Sequence, residues 1–106
     1  MNEMNLYNKI GMVLESIQIW EYTFKQVTIK FGIEKSDDKR SLSNMNSFLF
    51  RNNYISEEDF LLIKKIIEGR NVVIHRFYID NVDETFLDEY LVNLNKSKSK
   101  FEQILK

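Results

Sequence analysis

The chain has 106 residues, a formal net charge of −1 at pH 7, no cysteine, no proline and one histidine. That length suits a single domain, and 43% hydrophobic with 29% charged residues is a globular balance rather than a disordered one. This composition excludes disulfides, zinc ribbons, thiol chemistry and a multi-histidine metal site within one chain. Its three glycines leave no room for a glycine-rich phosphate loop. The near-neutral charge argues against a globally basic nucleic-acid binder while leaving room for a local basic patch. Alanine is absent too, so close helix contacts must be made by larger side chains, and the lack of proline permits long uninterrupted helices.

In chain order, the first predicted helix runs from about Asn5 to Phe31. Ile10, Val13, Ile17, Trp20, Phe24, Val27 and Phe31 recur at steps of three and four, the stripe of an amphipathic helix. Gly32 stands where a helix C-terminus favours it, and residues 34–40 are polar throughout, a loop. A shorter stripe follows at Leu42, Met45, Phe48 and Leu49, with Ser41 or Ser43 as cap and Asn52-Asn53 as its end. Ser56 and Asp59 then resemble a capping box. Phe60, Ile63, Ile67, Ile74 and Phe77 form one apolar line, flanked by Leu62, Ile66 and Val73, and the spacing predicts a helix to about Asp80. The last helix starts near Asn81 or Asp83, with Phe86, Leu87, Tyr90, Leu91, Leu94, Phe101, Ile104 and Leu105 on its apolar side. No strand-like alternation of useful length and no internal repeat is present, so the expected fold is an all-α, four- to five-helix up-and-down bundle over residues 1–106. No stretch is apolar enough to span a bilayer and the N-terminus lacks a signal-peptide pattern, so the chain is expected to be complete and cytoplasmic, without membrane contact.

One residue breaks the pattern. Arg70 occupies a position where the apolar line of the third helix calls for a hydrophobic residue, and a charge on a buried stripe is costly unless paired. Asn71 follows it, and the single His75 comes five residues after it. Asn71, His75 and Tyr78 share a helical face by their spacing. The run Arg70-Asn71-Val72-Val73-Ile74-His75 resembles the signature of the HEPN domain family: Arg, a polar residue commonly Asn, three to five further residues, then His. Helix number, helix order and the place of the motif in a late helix agree with that resemblance.

The resemblance implies metal-independent RNA cleavage without a cofactor, by attack of the 2′-hydroxyl on the adjacent phosphate, in a toxin or phage-defence effector. His75 would act near neutral pH as acid or base, Arg70 would neutralise phosphate oxygens with its planar guanidinium, and Asn71 would bind the phosphate or orient His75. Lys64, Lys65, Arg51 and Arg76 around the motif, with Tyr78, are candidate substrate contacts; the alternative for the cations is an ordinary solvated face. A family variant carries Tyr two residues after the His. Here Phe77 stands there and Tyr78 one further on, so AMP transfer to this tyrosine lacks its motif. Residues five apart on a helix diverge by about 140°, so Arg70 and His75 of one chain converge poorly on one phosphate. A two-fold dimer with a composite site resolves this, as in the family, and a homodimer is therefore expected. RNA is the expected substrate, and the toxin form implies an antitoxin protein as partner.

Other readings stand beside this one. Arg70 could simply pair with Glu68, Asp59 or an acid on another helix, and a lone His on a polar face is ordinarily solvated. The bundle could be a non-catalytic HEPN-like module binding nucleotide or protein, or an unrelated helical adaptor. The aromatic residues fit a core better than a base-stacking platform. Asp80, Asp83, Glu84, Asp88 and Glu89 fit helix capping and solubility better than cation binding.

Overall fold

The computed structural model describes residues 3–33, 41–75 and 83–106; of Glu3, Met4, Asn5 and His75 it describes the backbone. Four helices account for these segments: α1 (Glu3–Lys30), α2 (Leu42–Arg51), α3 (Glu57–His75) and α4 (Glu84–Leu105). Among the described residues there is no strand, and the fold is an all-α helical bundle. The stretch from Arg76 to Asp80 that the apolar spacing assigns to the third helix lies outside the described residues, as does Asn81.

Each boundary has a local cause. α1 and α2 both end in a residue of positive φ, Gly32 at 106° and Asn53 at 61°. In both, the next residue's N–H reaches back five positions: Ile33 to the Thr28 carbonyl at 3.0 Å, Tyr54 to that of Leu49 at 2.9 Å. This is the left-handed closure that glycine and asparagine tolerate best. Ser41 caps α2 by accepting from the Asn44 N–H at 3.1 Å, and Asp83 caps α4 by accepting from Phe86 at 2.9 Å. At the start of α3 half of the expected box forms. Ser56 Oγ accepts from the Asp59 N–H at 3.1 Å, but the Asp59 carboxylate turns away and accepts from Lys100 Nζ on α4 at 2.7 Å.

The contacts fix the directions of the helices. Along α1, Lys9 pairs with Glu84 and Asp88, Trp20 with Ser97, and Lys30 with the Ile104 carbonyl, so α1 and α4 run parallel. Phe31 stacks on Tyr54 at 4.4 Å while Glu21 meets Arg70, so α3 runs antiparallel to α1. The three long helices thus alternate up, down, up, and α2 packs beside α3. The molecule measures 45 × 25 × 21 Å.

The core is the stripe of α1 pressed on α3 and α4. Val13, Ile17, Trp20, Phe24 and Val27 are fully buried or nearly so. Trp20 stacks on Phe24 at 5.2 Å, and Phe101 completes the trio at 5.9 and 5.4 Å. A polar bond lies inside this apolar cluster: Trp20 Nε1 donates to the buried Ser97 Oγ at 2.9 Å. It satisfies a donor that would otherwise cost free energy when desolvated. On α3 the buried side passes through Ile63, Ile66, Ile67 and Val73. Ile74, expected on the buried line, is 40% exposed. The start of α2, with its cap Ser41, lies beside Arg70 and Asn71 of α3. Among the described residues no helix is long and apolar enough to cross a membrane.

Candidate functional site

Arg70 is half-buried and bonded to an acid on another helix. Its Nε donates to Glu21 Oε1 on α1, with the two side chains 28% and 24% exposed. Of the three pairings open to it, neither Asp59 nor Glu68 is the partner: Asp59 is taken by Lys100, and Glu68 lies on the exposed side of α3. The ion pair lets a charge sit on a helix side that faces α1, and it engages the guanidinium's Nε donor.

The residue before Arg70 explains why its backbone is fixed. A Cβ at Gly69 would lie 2.5 Å from Tyr90 Cε2 and 2.8 Å from Cδ2. Only glycine lets the Tyr90 ring lie this close across α3. The phenol then donates to the Ile66 carbonyl at 2.7 Å. Burial pushes the Tyr90 phenol far above its ordinary range, with Arg70 opposing the rise and Glu21 adding to it. Tyr90 therefore stays a neutral donor wherever the protein is folded at ordinary pH.

Arg70 and Asn71 open onto a polar cleft of about 380 Å³. Glu21 and Lys25 of α1 form one wall, Ser41 and Ser43 at the start of α2 another, and Ile67 and Met45 contribute the apolar part. α2 carries no acidic residue in its first turn, so none of its own side chains there compensates the positive end of its dipole. With Lys25 and Arg70 alongside, the cleft favours an anionic group, Glu21 being its opposing charge.

The expected site residues do not all gather here. Asn71 and His75 lie four apart within α3 and so on one side of it, whereas Arg70 faces α1, about 140° round from His75. Lys64 and Lys65 are exposed, and they diverge. Lys65 borders a separate apolar groove of about 240 Å³ between α3 and α4, with Val72, Phe86 and Tyr90. Arg51 lines another hollow with Phe50 and Phe60. Lys65 and Arg51 thus border different hollows. Arg76 and Tyr78 lie outside the described residues.

The sequence pattern does not single out Glu21, Lys25 or Ser43 as site residues. The one signal was indirect, namely an arginine on an apolar line, which demands an acid. Of the acidic group, Glu84 and Asp88 hold Lys9 at 3.0 and 2.6 Å and raise its pKa, Asp88 most. Among the described residues no group of three or more His, Cys, Asp or Glu side chains is arranged to hold a metal ion. No protein-family model, no curated protein and no solved structure matches the chain.

Proposed function

We propose that this chain is an HEPN-like endoribonuclease that cleaves RNA without a metal, a toxin or phage-defence effector working in the cytoplasm as a homodimer. The observation that carries the reading is the meeting of Arg70 and Asn71, the first two residues of the Arg-Asn-x-x-x-His motif, at an anion-favouring cleft of about 380 Å³. There Arg70 would neutralise the scissile phosphate through the donors that Glu21 does not engage, and Lys25 would add charge. His75, one helical turn beyond Asn71, would supply the proton transfer. Because Arg70 and His75 of one helix diverge, the composite site takes its imidazole from the second copy.

The test is cleavage of labelled RNA in the presence of a chelator. Wild-type protein should yield 2′,3′-cyclic phosphate ends. His75→Ala should lose activity by at least 10²-fold, the usual contribution of a general acid or base, at unchanged helical circular dichroism. Undiminished cleavage by His75→Ala would end the proposal.

One observation favours a second reading. The Arg70–Glu21 ion pair gives the arginine a structural task within the chain. On that reading the bundle is a non-catalytic HEPN-like module binding nucleotide or protein at the same cleft, and nucleotide binding without cleavage would select it.

A further inference from the structure

Two hollows lie along α2. One is the cleft already described, with Ser43 of α2 and Ile67 and Asn71 of α3 on its walls. The other, also about 380 Å³, is lined by Asn44, Ser47, Phe50 and Arg51 of α2 and by Phe60 of α3. Helical spacing joins them. Ser43, Ser47 and Arg51 stand at steps of four on α2, and Phe60, Lys64, Ile67 and Asn71 at steps of four, three and four on α3. The helices run antiparallel here. The start of α2 lies beside Asn71, while Asn46 donates to the Phe60 carbonyl at 3.1 Å and Phe50 stacks on Phe60 at 4.5 Å. The two lines therefore border one groove from cleft to hollow, with Lys64 between its ends.

The charges along this groove fit a polyanion. From Ser41 to Ser56 the sequence contains no acidic residue. Lys9, Arg70, Lys98 and Lys100 each hold an acid. By contrast, among the described residues Lys25 at the cleft, Lys64 midway and Arg51 at the far end form no ion pair, although Glu68 stands one turn along α3 from Lys64. Lys64 and Arg51 are exposed, and the Phe50–Phe60 pair beside Arg51 is half-buried.

We propose that the α2–α3 groove is the path of one RNA strand leading away from the cleft, with the Phe50–Phe60 hollow as a second nucleotide subsite. The identity of the strand rests on the ribonuclease reading. Lys64 and Arg51 take backbone phosphates, Ser43 and Ser47 offer hydroxyls to phosphate or sugar, and a base lies against the phenylalanine pair. Aromatic side chains take bases that are unstacked and splayed out, so the strand is unpaired. Ser43 and Arg51 are about 12 Å apart along α2, so the subsite engages a nucleotide beyond the one whose phosphate meets Arg70.

The test uses a fluorescent 2′-O-methyl RNA strand of ten nucleotides, which lacks the attacking hydroxyl and stays whole. Binding to the full chain is read by anisotropy across a salt series. Arg51→Gln and Lys64→Gln should each weaken binding several-fold and make the salt dependence shallower by about 0.7 in log K against log salt, one phosphate contact on a single strand. Lys96→Gln, an exposed cation on α4, should change neither. A duplex of the same sequence should compete at least ~10-fold less well. Unchanged salt slopes in both groove variants, equal loss in Lys96→Gln, or equal competition by duplex would overturn the inference. If the groove variants behave as expected but unmodified RNA is never cut, the ribonuclease reading falls alone. If RNA is cut and neither groove variant alters binding, this inference falls alone. Failure of wild type to bind the strand would overturn both.

Discussion

At the residue scale, the two helix-interior glycines make opposite predictions. Gly69→Ala forces a methyl into the Tyr90 ring, which is anchored by its own hydrogen bond, so relief requires α3 and α4 to part. It should cost about 1–3 kcal/mol, the range for overpacking, measured by urea denaturation. Gly11→Ala meets open space, so unfolding should become harder by just under ~1 kcal/mol, the helix-propensity gain. Glu21→Gln strands the Arg70 charge. Because both side chains keep about a quarter of their exposure, the expected cost is about 1–2 kcal/mol, below that of breaking a fully buried pair. Tyr90 supplies a pH dependence. Its folded-state pKa lies above the ordinary 10.0, so its contribution is whole below pH 10 and is lost as pH rises beyond it. Lys9 and Lys100, held charged by Asp88 and Asp59, shift the same way. Stability should therefore fall above about pH 10, and less steeply in Tyr90→Phe, as thermal melts across that range would show.

At the scale of helices, what could be read in advance depended on range. The stripe from Val13 to Val27 is a local period, and it marks the buried side of α1 correctly. Gly32, Asn53 and the serine caps act within a few residues and were legible for the same reason. On α3 the apolar line and its flank mark the buried Ile63, Ile66, Ile67 and Val73, whereas Ile74 on the same line is exposed, since burial there is set by neighbouring elements and not by the local period. The demand for an acid near Arg70 was legible; that Glu21 meets it was not, since the partner lies 49 residues away and only the tertiary register selects it. Ser97 hides among Lys96, Lys98 and Lys100 as an apparently solvated run, yet it is buried and accepts from Trp20. Ser97→Ala should leave the indole N–H unpaired and cost roughly 1–3 kcal/mol, detectable as a lowered melting temperature with unchanged helical content.

For the whole molecule, the ion pair and the cleft tie fold to chemistry. The same guanidinium that joins α3 to α1 is the one the cleft offers to an anion, so anything that binds there acts on the link between those helices. Bound phosphate-bearing ligand should raise the melting temperature in wild type and not in Arg70→Met, because a ligand that binds only the folded state stabilises it by mass action. The parallel course of α1 and α4 has a mechanical consequence. The start of α1 and the end of α4 lie at opposite ends of a molecule 45 Å long. Tension applied at the two ends therefore slides these helices past each other and loads the Lys9, Trp20 and Lys30 attachments at once rather than peeling them in turn. In an optical trap the bundle should rupture in one step, at a higher force than the same bundle pulled from Lys9 and Glu84, where the pair would unzip.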